Sequence, residues 1–231
     1  MGKAIERIAL ERGHSIVYRI DSKNTIDQVD LTQADVAIEF TRPNLAVKHI
    51  EVCLEQRVPV VVGTTAWQGD HLEPVSKLVT EKNGSLLHAS NFSVGVNILF
   101  HINEKLAALM SSHPEYKAQI EEIHHVQKLD APSGTAVSLA QGLIANNQNY
   151  TSWKSETGFW PDTAPSELPI RAIREPDVPG THTISYISNI DTLTLSHEAH
   201  SRDGFALGSV VAAEFLAGKK GIYTMRDVLA F

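Results

Sequence analysis

The densest group of residues able to do chemistry lies at 124–135, which reads HHVQKLDAPSGT. His124, His125 and Lys128 can carry positive charge just ahead of a Pro-Ser-Gly-Thr turn. Four interpretations suit these residue types: a metal site, an anion cradle, a proton-transfer site, or a strand end and a turn without chemistry. The positions of the residues separate these interpretations.

A metal site is the weakest interpretation. Adjacent side chains on a strand point to opposite faces, so His124 and His125 cannot both bind one ion without a bend in the backbone. Lys128 would also repel a cation. We therefore predict that this stretch binds no metal.

The turn favours an anion site. Ser133, Gly134 and Thr135 stand at the start of a predicted helix, where backbone N–H groups and the helix dipole attract a carboxylate or phosphate. Lys128 adds positive charge, and one histidine can act as a general acid near neutral pH. The structural alternative is a satisfied histidine pair followed by an N-cap.

The first half of the chain must position other candidate residues. Strands predicted at 15–21, 35–41, 58–64 and 85–90 alternate with helices, which favours a parallel sheet with helices on both faces. Gly63, Thr64 and Thr65 follow the third of these strands, and Ala89–Phe92 end and follow the fourth. Ligands bind at such strand ends in open α/β sheets, although ordinary turns explain each segment taken alone.

The second half has a different pattern. We predict helices at 94–110 and 134–146, a strand at 116–125, and a long polar loop at 149–169. An antiparallel pair at 181–188 and 191–200 follows, and a final helix at 205–217 returns to the first domain. Arg202 precedes that helix, where it could bind a carboxylate.

The start of the chain bears on cofactor binding. Asp21 ends the first predicted strand, about twenty residues along, as the acid that binds a ribose does in dinucleotide-binding domains. The preceding strand and glycine-rich turn are not in the sequence. Either this is an α/β domain that starts with a helix, with Asp21 a surface acid, or a dinucleotide-binding domain incomplete at its start.

Bulk composition excludes several classes of protein. The 231 residues carry a formal charge of −7, which disfavours a nucleic-acid partner. Apolar runs such as Val60–Val62 are too short to span a membrane. The charged N-terminus does not resemble a signal peptide, and Cys53, the single cysteine, fits a reducing compartment. We expect a cytoplasmic protein.

The run HHVQKLDAPSGTA, with GTT, NFSVGVN and SRDGFALG, resembles the dihydrodipicolinate reductase family in order along essentially the whole chain. The resemblance implies reduction of 4-hydroxy-tetrahydrodipicolinate to tetrahydrodipicolinate with NADH or NADPH, in lysine and diaminopimelate biosynthesis. It implies an α/β fold with a Rossmann-like doubly wound parallel sheet, formed by 1–92 and completed by 203–231. Residues 93–202 would form an α+β domain for substrate binding and assembly into a homotetramer.

The resemblance also implies roles for individual residues. His124 would donate a proton with Lys128 as its catalytic partner, and the dicarboxylate substrate would contact His125, Ser133, Gly134 and Thr135. The cofactor would contact Asp21, Gly63, Thr64, Thr65, Ala89, Ser90, Asn91, Phe92 and Arg202. Ala66 stands where the family usually has a glycine after GTT.

Other hypotheses remain open at this point. If the chain is complete, we expect weak NADH binding, and the alternative function is a catalytically silent form that folds and binds a dicarboxylate. A Rossmann-type reductase with another substrate ranks below both, and a zinc hydrolase is disfavoured. Asp21 favours NADH because an acid repels the 2′-phosphate of NADPH, whereas Arg19 and Lys23 would soften that choice.

Overall fold

The computed structural model describes residues 1–231, which fold into two compact units. Unit 1 comprises Met1–Val94 and Asp203–Phe231, and unit 2 comprises Gly95–Arg202. The helices are α1 (Gly2–Glu11), α2 (Pro43–Glu55), α3 (Gln68–Glu81), α4 (Val94–Met110), α5 (Gly134–Asn146), α6 (Asp203–Leu216) and α7 (Met225–Leu229). The strands are β1 (Ala37–Glu39), β2 (Val60–Val62), β3 (Ser85–His88), β4 (Lys117–His124), β5 (Ser152–Thr157), β6 (Glu167–Arg174), β7 (Gly180–Ile187), β8 (Thr192–Ala199) and β9 (Gly221–Tyr223). None of these helices has the length and apolar character needed to cross a membrane.

Unit 1 contains a four-stranded parallel sheet in the order β1-β2-β3-β9. Side chains alternate across a strand, so Val60 and Val62 pack in the cluster that includes α2 and α3, whereas Val61 packs in the cluster that includes α6. Helices therefore cover both faces of the sheet, which confirms the predicted doubly wound arrangement.

The strand predicted at Ser15–Asp21 is wrong. Residues 14–20 belong to neither sheet, and β1 is the edge of the sheet in unit 1. A strand exists only where its backbone N–H and C=O groups find a ladder partner, and this segment has none. Its apolar side chains are used instead, because Ile16 packs beside α1 and α6 while Tyr18 and Ile20 pack against the cluster under α2.

Unit 2 contains a five-stranded mixed sheet in the order β5-β6-β4-β7-β8. Strand β8 is an edge and pairs antiparallel with β7, which confirms the predicted pair at 181–200. Residues of α4 and α5 form one core cluster with alternate residues of β4, β6 and β7, such as Ile120, Ile170 and Ile184. The helices therefore position β4, whose last residue is His124, from one side of the sheet.

The long loop predicted at 149–169 is also wrong. It contains β5 and the start of β6, which pair in parallel from Ser152 opposite Glu167. The strand β5 is polar and lies at the sheet edge with most of its residues exposed, so it lacks the apolar alternation that reveals a half-buried strand. Pro169 lies within β6 and further weakened the strand pattern.

Candidate active site

The candidate site in unit 2 is built at the carboxyl end of β4. Along this strand Ile120, Glu122 and His124 are all buried, and each stands two residues from the next, so they share one face. In the sheet register Glu122 lies opposite His182 of β7, and His124 lies opposite Arg174 of β6. Strand pairing thus places four polar residues around one point.

Glu122 is the centre of this cluster, and it is completely buried. Its Oε1 accepts hydrogen bonds from Arg174 Nη1 at 3.0 Å and from the Ser133 backbone N–H at 3.3 Å. Its Oε2 contacts His124 Nδ1. Burying a charged carboxylate is costly unless it is paired and hydrogen-bonded, and here Oε1 is hydrogen-bonded while Oε2 is in ion-pair contact with His124 without a hydrogen bond.

Ser133 connects the start of α5 to the same cluster. Its Oγ accepts a hydrogen bond from the Ala136 N–H at 3.1 Å, which caps the helix, and it lies 2.9 Å from His182 Nε2. The backbone N–H and side chain of Ser133 are thus already engaged within the fold. Gly134 supplies the next backbone N–H at this helix start, where an anion is stabilised.

The buried groups of the cluster differ in charge. Burial raises the pKa of Glu122, but contact with His124 and Arg174 outweighs it and holds that pKa below its ordinary value. Burial lowers the pKa of His182 to about 3, and the nearby charge of His124 acts in the same direction. Near neutral pH the cluster therefore contains an ionised Glu122 and a neutral His182.

Lys128 lies in the turn after β4 with its side chain only 20% exposed. Its Nζ donates to both carboxylate oxygens of Asp130 at 2.8 Å. Burial raises the pKa of Asp130, but Lys128 outweighs this effect and the pKa lies below its ordinary value. Arg174 Nη2 donates to the Asp130 carbonyl at 2.6 Å, so the turn that carries Lys128 is fastened to the Glu122 cluster.

His125 and Arg202 line an open cleft of about 410 Å³ in unit 2, together with Gln127, Asp177, Val178, Pro179 and Ser201. His125 is partly buried, and its Nδ1 has no partner within the chain. The structure thus brings together one residue predicted to bind substrate and one predicted to bind cofactor. A histidine and an arginine on one cleft suit a carboxylate ligand.

Three of the buried residues could also hold a metal ion by geometry. Glu122, His124 and His182 offer ligand atoms that all lie within 4.8 Å of one another. This set differs from the histidine pair considered in the sequence. Arg174 lies 3.0 Å from the same carboxylate, and its permanent positive charge opposes a cation there. That the stretch at 124–135 binds no metal ion remains a prediction.

The predicted cofactor residues of unit 1 lie at the carboxyl edge of its sheet. Gly63 follows β2, and a Cβ there would come within 2.1 Å of the Phe40 ring, so a larger residue would displace that ring. Thr64 is buried, and its Oγ1 accepts from the Thr41 N–H at 2.8 Å. Thr65, the third residue of this segment, is exposed.

The segment after β3 lies beside the β2 end, because β2 and β3 pair in parallel. Ala89 is partly buried and Ser90 is exposed. Asn91 is buried, and its Oδ1 accepts from the Ser93 N–H at 2.9 Å. Phe92 is buried and packs against Phe40 with ring centroids 5.6 Å apart, so its side chain belongs to the core beneath this edge of the sheet.

Asp21 is not at the end of a strand as predicted. It is exposed in a turn, where its Oδ1 accepts from the backbone N–H groups of Lys23 at 2.7 Å and Asn24 at 2.9 Å. These bonds hold its pKa below the ordinary value and orient the carboxylate. Arg19 pairs with Glu6 at 2.5 Å.

Comparison with known protein families identifies the chain. Residues 1–92 match the sequence model described as dihydrodipicolinate reductase, N-terminus, and residues 95–229 match the one for its C-terminus. The chain belongs to the dihydrodipicolinate reductase family. The 4-hydroxy-tetrahydrodipicolinate reductase of Christiangramia forsetii is 45% identical over 232 aligned residues, covering 100% of this chain and 94% of that protein. The enzyme of the same name from Neisseria meningitidis serogroup A is 34% identical and covers 97% of this chain and 83% of that protein.

Solved structures agree on the fold of this family member. A dipicolinate-bound dihydrodipicolinate reductase from Paenisporosarcina sp. TG-14 gives a TM-score of 0.74 at 22% identity, covering 96% of this chain and 92% of that one. An amine dehydrogenase from Mycobacterium smegmatis gives 0.59 at 11% identity, covering 96% and 91%. The fold of this chain is thus shared with both of these proteins.

Several polar residues of this dihydrodipicolinate reductase family member were missed in the sequence. In unit 2 these are Glu122, Arg174 and His182. Glu122 could have been found, because it stands two residues before His124 on a strand face whose other members are apolar. Arg174 and His182 could not, since only strand register brings them to this point.

Unit 1 contains a second missed group at the carboxyl end of β1. Glu39 is buried and contacts Thr41 Oγ1, and its Oε1 lies 3.4 Å from His49 Nδ1. Its Oε2 is buried without a partner. Burial raises the pKa of Glu39, but the hydrogen bonds from His49 and Thr41 outweigh it and the pKa is lowered. An unpartnered carboxylate oxygen at this edge can accept an N–H or O–H group of a ligand.

Proposed function

We propose that this chain catalyses the reduction of 4-hydroxy-tetrahydrodipicolinate to tetrahydrodipicolinate with NADH or NADPH. The observation that carries the proposal is the position of His124, the proposed proton donor, against the buried carboxylate Glu122. The overall reaction consumes the substrate, the reduced cofactor and one proton, and it yields the product, the oxidised cofactor and water. The chain must therefore bind a dicarboxylate and deliver a proton.

In unit 2, His124 is the proposed proton donor. Reduction of an unsaturated ring by hydride leaves a carbanion-like carbon, and a general acid lowers the barrier by protonating it. Lys128 supports this step with positive charge. The Gly134 N–H and the start of α5 bind one substrate carboxylate, with Ser133 and Thr135 beside it. His125 on the open cleft contacts the dicarboxylate, and Arg202, the predicted cofactor contact, lines the same cleft.

In unit 1, the carboxyl edge of the sheet is the proposed cofactor site. NADH or NADPH, when bound, supplies the hydride. Gly63, Thr64, Thr65 and the segment Ala89–Phe92 follow adjacent strands at the edge where open α/β sheets bind ligands. The unpartnered Oε2 of Glu39 fits an N–H donor of the cofactor at the same edge.

The geometry around Asp21 supports a preference for NADH. Its Oδ1 accepts from two backbone N–H groups, and we propose that its Oδ2 accepts from a ribose hydroxyl. Arg19 is paired with Glu6 rather than available for a 2′-phosphate. We further propose, from the family, a cytoplasmic homotetramer. Light scattering on the purified chain tests the assembly.

A steady-state assay on the purified chain tests the function. We expect oxidation of NADH that depends on the dicarboxylate, with kcat lowered by about 10²-fold or more in His124→Ala because a general acid is lost. Lys128→Ala should lower kcat or raise KM. His113→Ala and Lys117→Ala are matched controls, because both residues are exposed and Lys117 begins β4, at the end opposite His124.

Two results would contradict the proposal. If His124→Ala and Lys128→Ala both reduce the dicarboxylate at the wild-type rate, the assigned residues are wrong. If the wild-type chain binds a dicarboxylate but neither cofactor in a fluorescence titration, it is the catalytically silent form.

A further inference from the structure

Glu122 lies directly behind the proposed proton donor, against its imidazole ring. It is completely buried, and it contacts the Nδ1 atom of His124 rather than the Nε2 atom. Burial of a carboxylate in a sheet core requires desolvation of its charge. An apolar side chain of similar size would often stabilise the fold at least as well. Its position therefore points to a function.

The carboxylate is held from the side opposite His124. Arg174 and the Ser133 backbone N–H both donate to Oε1, which leaves Oε2 directed at the imidazole. Arg174 is itself fixed, because Nη1 also donates to the Ile173 carbonyl at 2.6 Å and Nη2 to the Asp130 carbonyl at 2.6 Å. A carboxylate with one oxygen anchored in this way can orient the ring that meets its other oxygen.

The opposite ring atom, His124 Nε2, lies beside Gly180, where a side chain would collide with it. A Cβ added at Gly180 would lie 2.9 Å from Nε2 and 3.1 Å from the neighbouring ring carbon. The His124 backbone is also fixed, because its carbonyl accepts from the Glu175 N–H at 2.9 Å. His124 is therefore held by its Nδ1 side and main chain, while Nε2 lies beside Gly180, a residue without a side chain.

We propose that Glu122 is a positioning residue that keeps the Nδ1 proton of His124 in place, so that Nε2 is the atom that delivers the proton to substrate. This inference rests on the proposed reductase function. An ionised carboxylate at Nδ1 selects one tautomer of the neutral ring and stabilises the imidazolium that acts as the acid.

The charges around His124 determine how the site responds to pH. Glu122 supplies the negative charge, while Arg174 from β6 stays positive throughout the working range. His182 from β7 is neutral there, because burial and the nearby charge of His124 lower its pKa to about 3. His197 on β8 faces His182, and burial lowers its pKa as well. Lys128 adds positive charge beside the cluster and is itself paired with Asp130.

The decisive substitution is Glu122→Gln. The amide oxygen can still accept from Arg174 and Ser133, but the amide nitrogen then donates to His124 Nδ1. This replaces the negative oxygen at Nδ1 by an N–H donor and so favours the ring proton at Nε2. We expect kcat to fall by about 10²-fold, the lower end of what a general acid contributes. KM for both substrates should change less than about twofold, since binding is not altered.

The pH profile separates positioning from a structural role. Because the imidazolium loses its counter-charge in Glu122→Gln, the decline of kcat with rising pH should begin at lower pH than in the wild type. Glu122→Asp keeps the charge and should retain the wild-type profile with a smaller loss of kcat. Glu121→Gln is the matched control, because Glu121 is the adjacent residue of β4 and pairs with Arg171 on the other face of the sheet.

A spectroscopic measurement tests the inference without any turnover. Nitrogen NMR shifts of ¹⁵N-histidine-labelled chain report which ring nitrogen of His124 carries the proton, with His124→Gln used for assignment. We expect protonated Nδ1 in the wild type. A wild-type ring with a bare Nδ1, or a folded Glu122→Gln variant with unchanged kcat and pH profile, would overturn the inference.

These measurements keep the two proposals distinguishable. If the chain has no reductase activity at all, the proposed function fails while the NMR measurement still decides the tautomer. If Glu122→Gln does not fold, the wild-type NMR spectrum and the Glu122→Asp profile still decide the role of Glu122.

Discussion

Replacing Ser133 by alanine should destabilise unit 2 through two separate losses. The Ser133 hydroxyl caps α5 through the Ala136 N–H, and it also partners His182 Nε2. Loss of an N-cap costs about 1 kcal/mol. His182 would then keep a buried polar nitrogen without a partner, which costs about 1–3 kcal/mol. The expected total is about 2–4 kcal/mol, which is a large part of the stability of a small domain.

The two losses can be measured separately. Ser133→Thr keeps the hydroxyl and should lose much less, whereas Thr224→Ala removes the cap of α7, which stands in an exposed capping box without a buried partner. That control should cost about 1 kcal/mol. Native-state hydrogen exchange resolves each helix, so the free energy of opening at Ala136–Ala140 reports on α5 directly.

One result would refute this explanation. If Ser133→Ala lowers the opening free energy of α5 no more than Thr224→Ala lowers that of α7, the contact with His182 contributes nothing. The structural role of the Ser133 hydroxyl would then be the helix cap alone. A loss confined to kcat, with no change in hydrogen exchange, would instead assign Ser133 wholly to the substrate.

Two further predictions concern unit 1. Gly208→Ala should lower the free energy of unfolding by at least about 2 kcal/mol, because the new Cβ would lie 1.6 Å from the Phe92 carbonyl oxygen. The control is Gly204→Ala in the same helix, whose Cβ meets no atom that close and which should be neutral or stabilising in urea unfolding. Glu214 is paired with Arg12, which lowers its pKa to about 2, so the pair stabilises the fold above the unfolded-state pKa near 4.5 and this contribution is lost as the pH falls toward 2. Glu214→Gln should therefore cost about 0.5–1 kcal/mol at pH 7, and the difference from wild type should vanish by about pH 2; a gap that stays constant with pH would contradict the assignment.

The local pattern of the sequence was sufficient for the long helices. Val94–Met110 and Gly134–Asn146 were predicted with the bounds that the structure has. A helix satisfies its backbone within one segment, so periodicity and the Ser133 cap carry the information needed. The resemblance carried by HHVQKLDAPSGTA identified the family for a related reason, since residues close in the chain form one strand end and one helix start.

Strands and polar clusters depend on partners far away in the chain. Only the tertiary structure therefore shows which segments form strands and which polar residues meet. Ser15–Asp21 has the composition of a strand but no ladder partner, whereas Ser152–Thr157 has a polar pattern and pairs with β6. The site shows the same dependence. His124 was evident from the sequence, but the register of β4 with β6 and β7 brings Arg174 and His182 to Glu122, and those contacts determine the charges around the proposed proton donor.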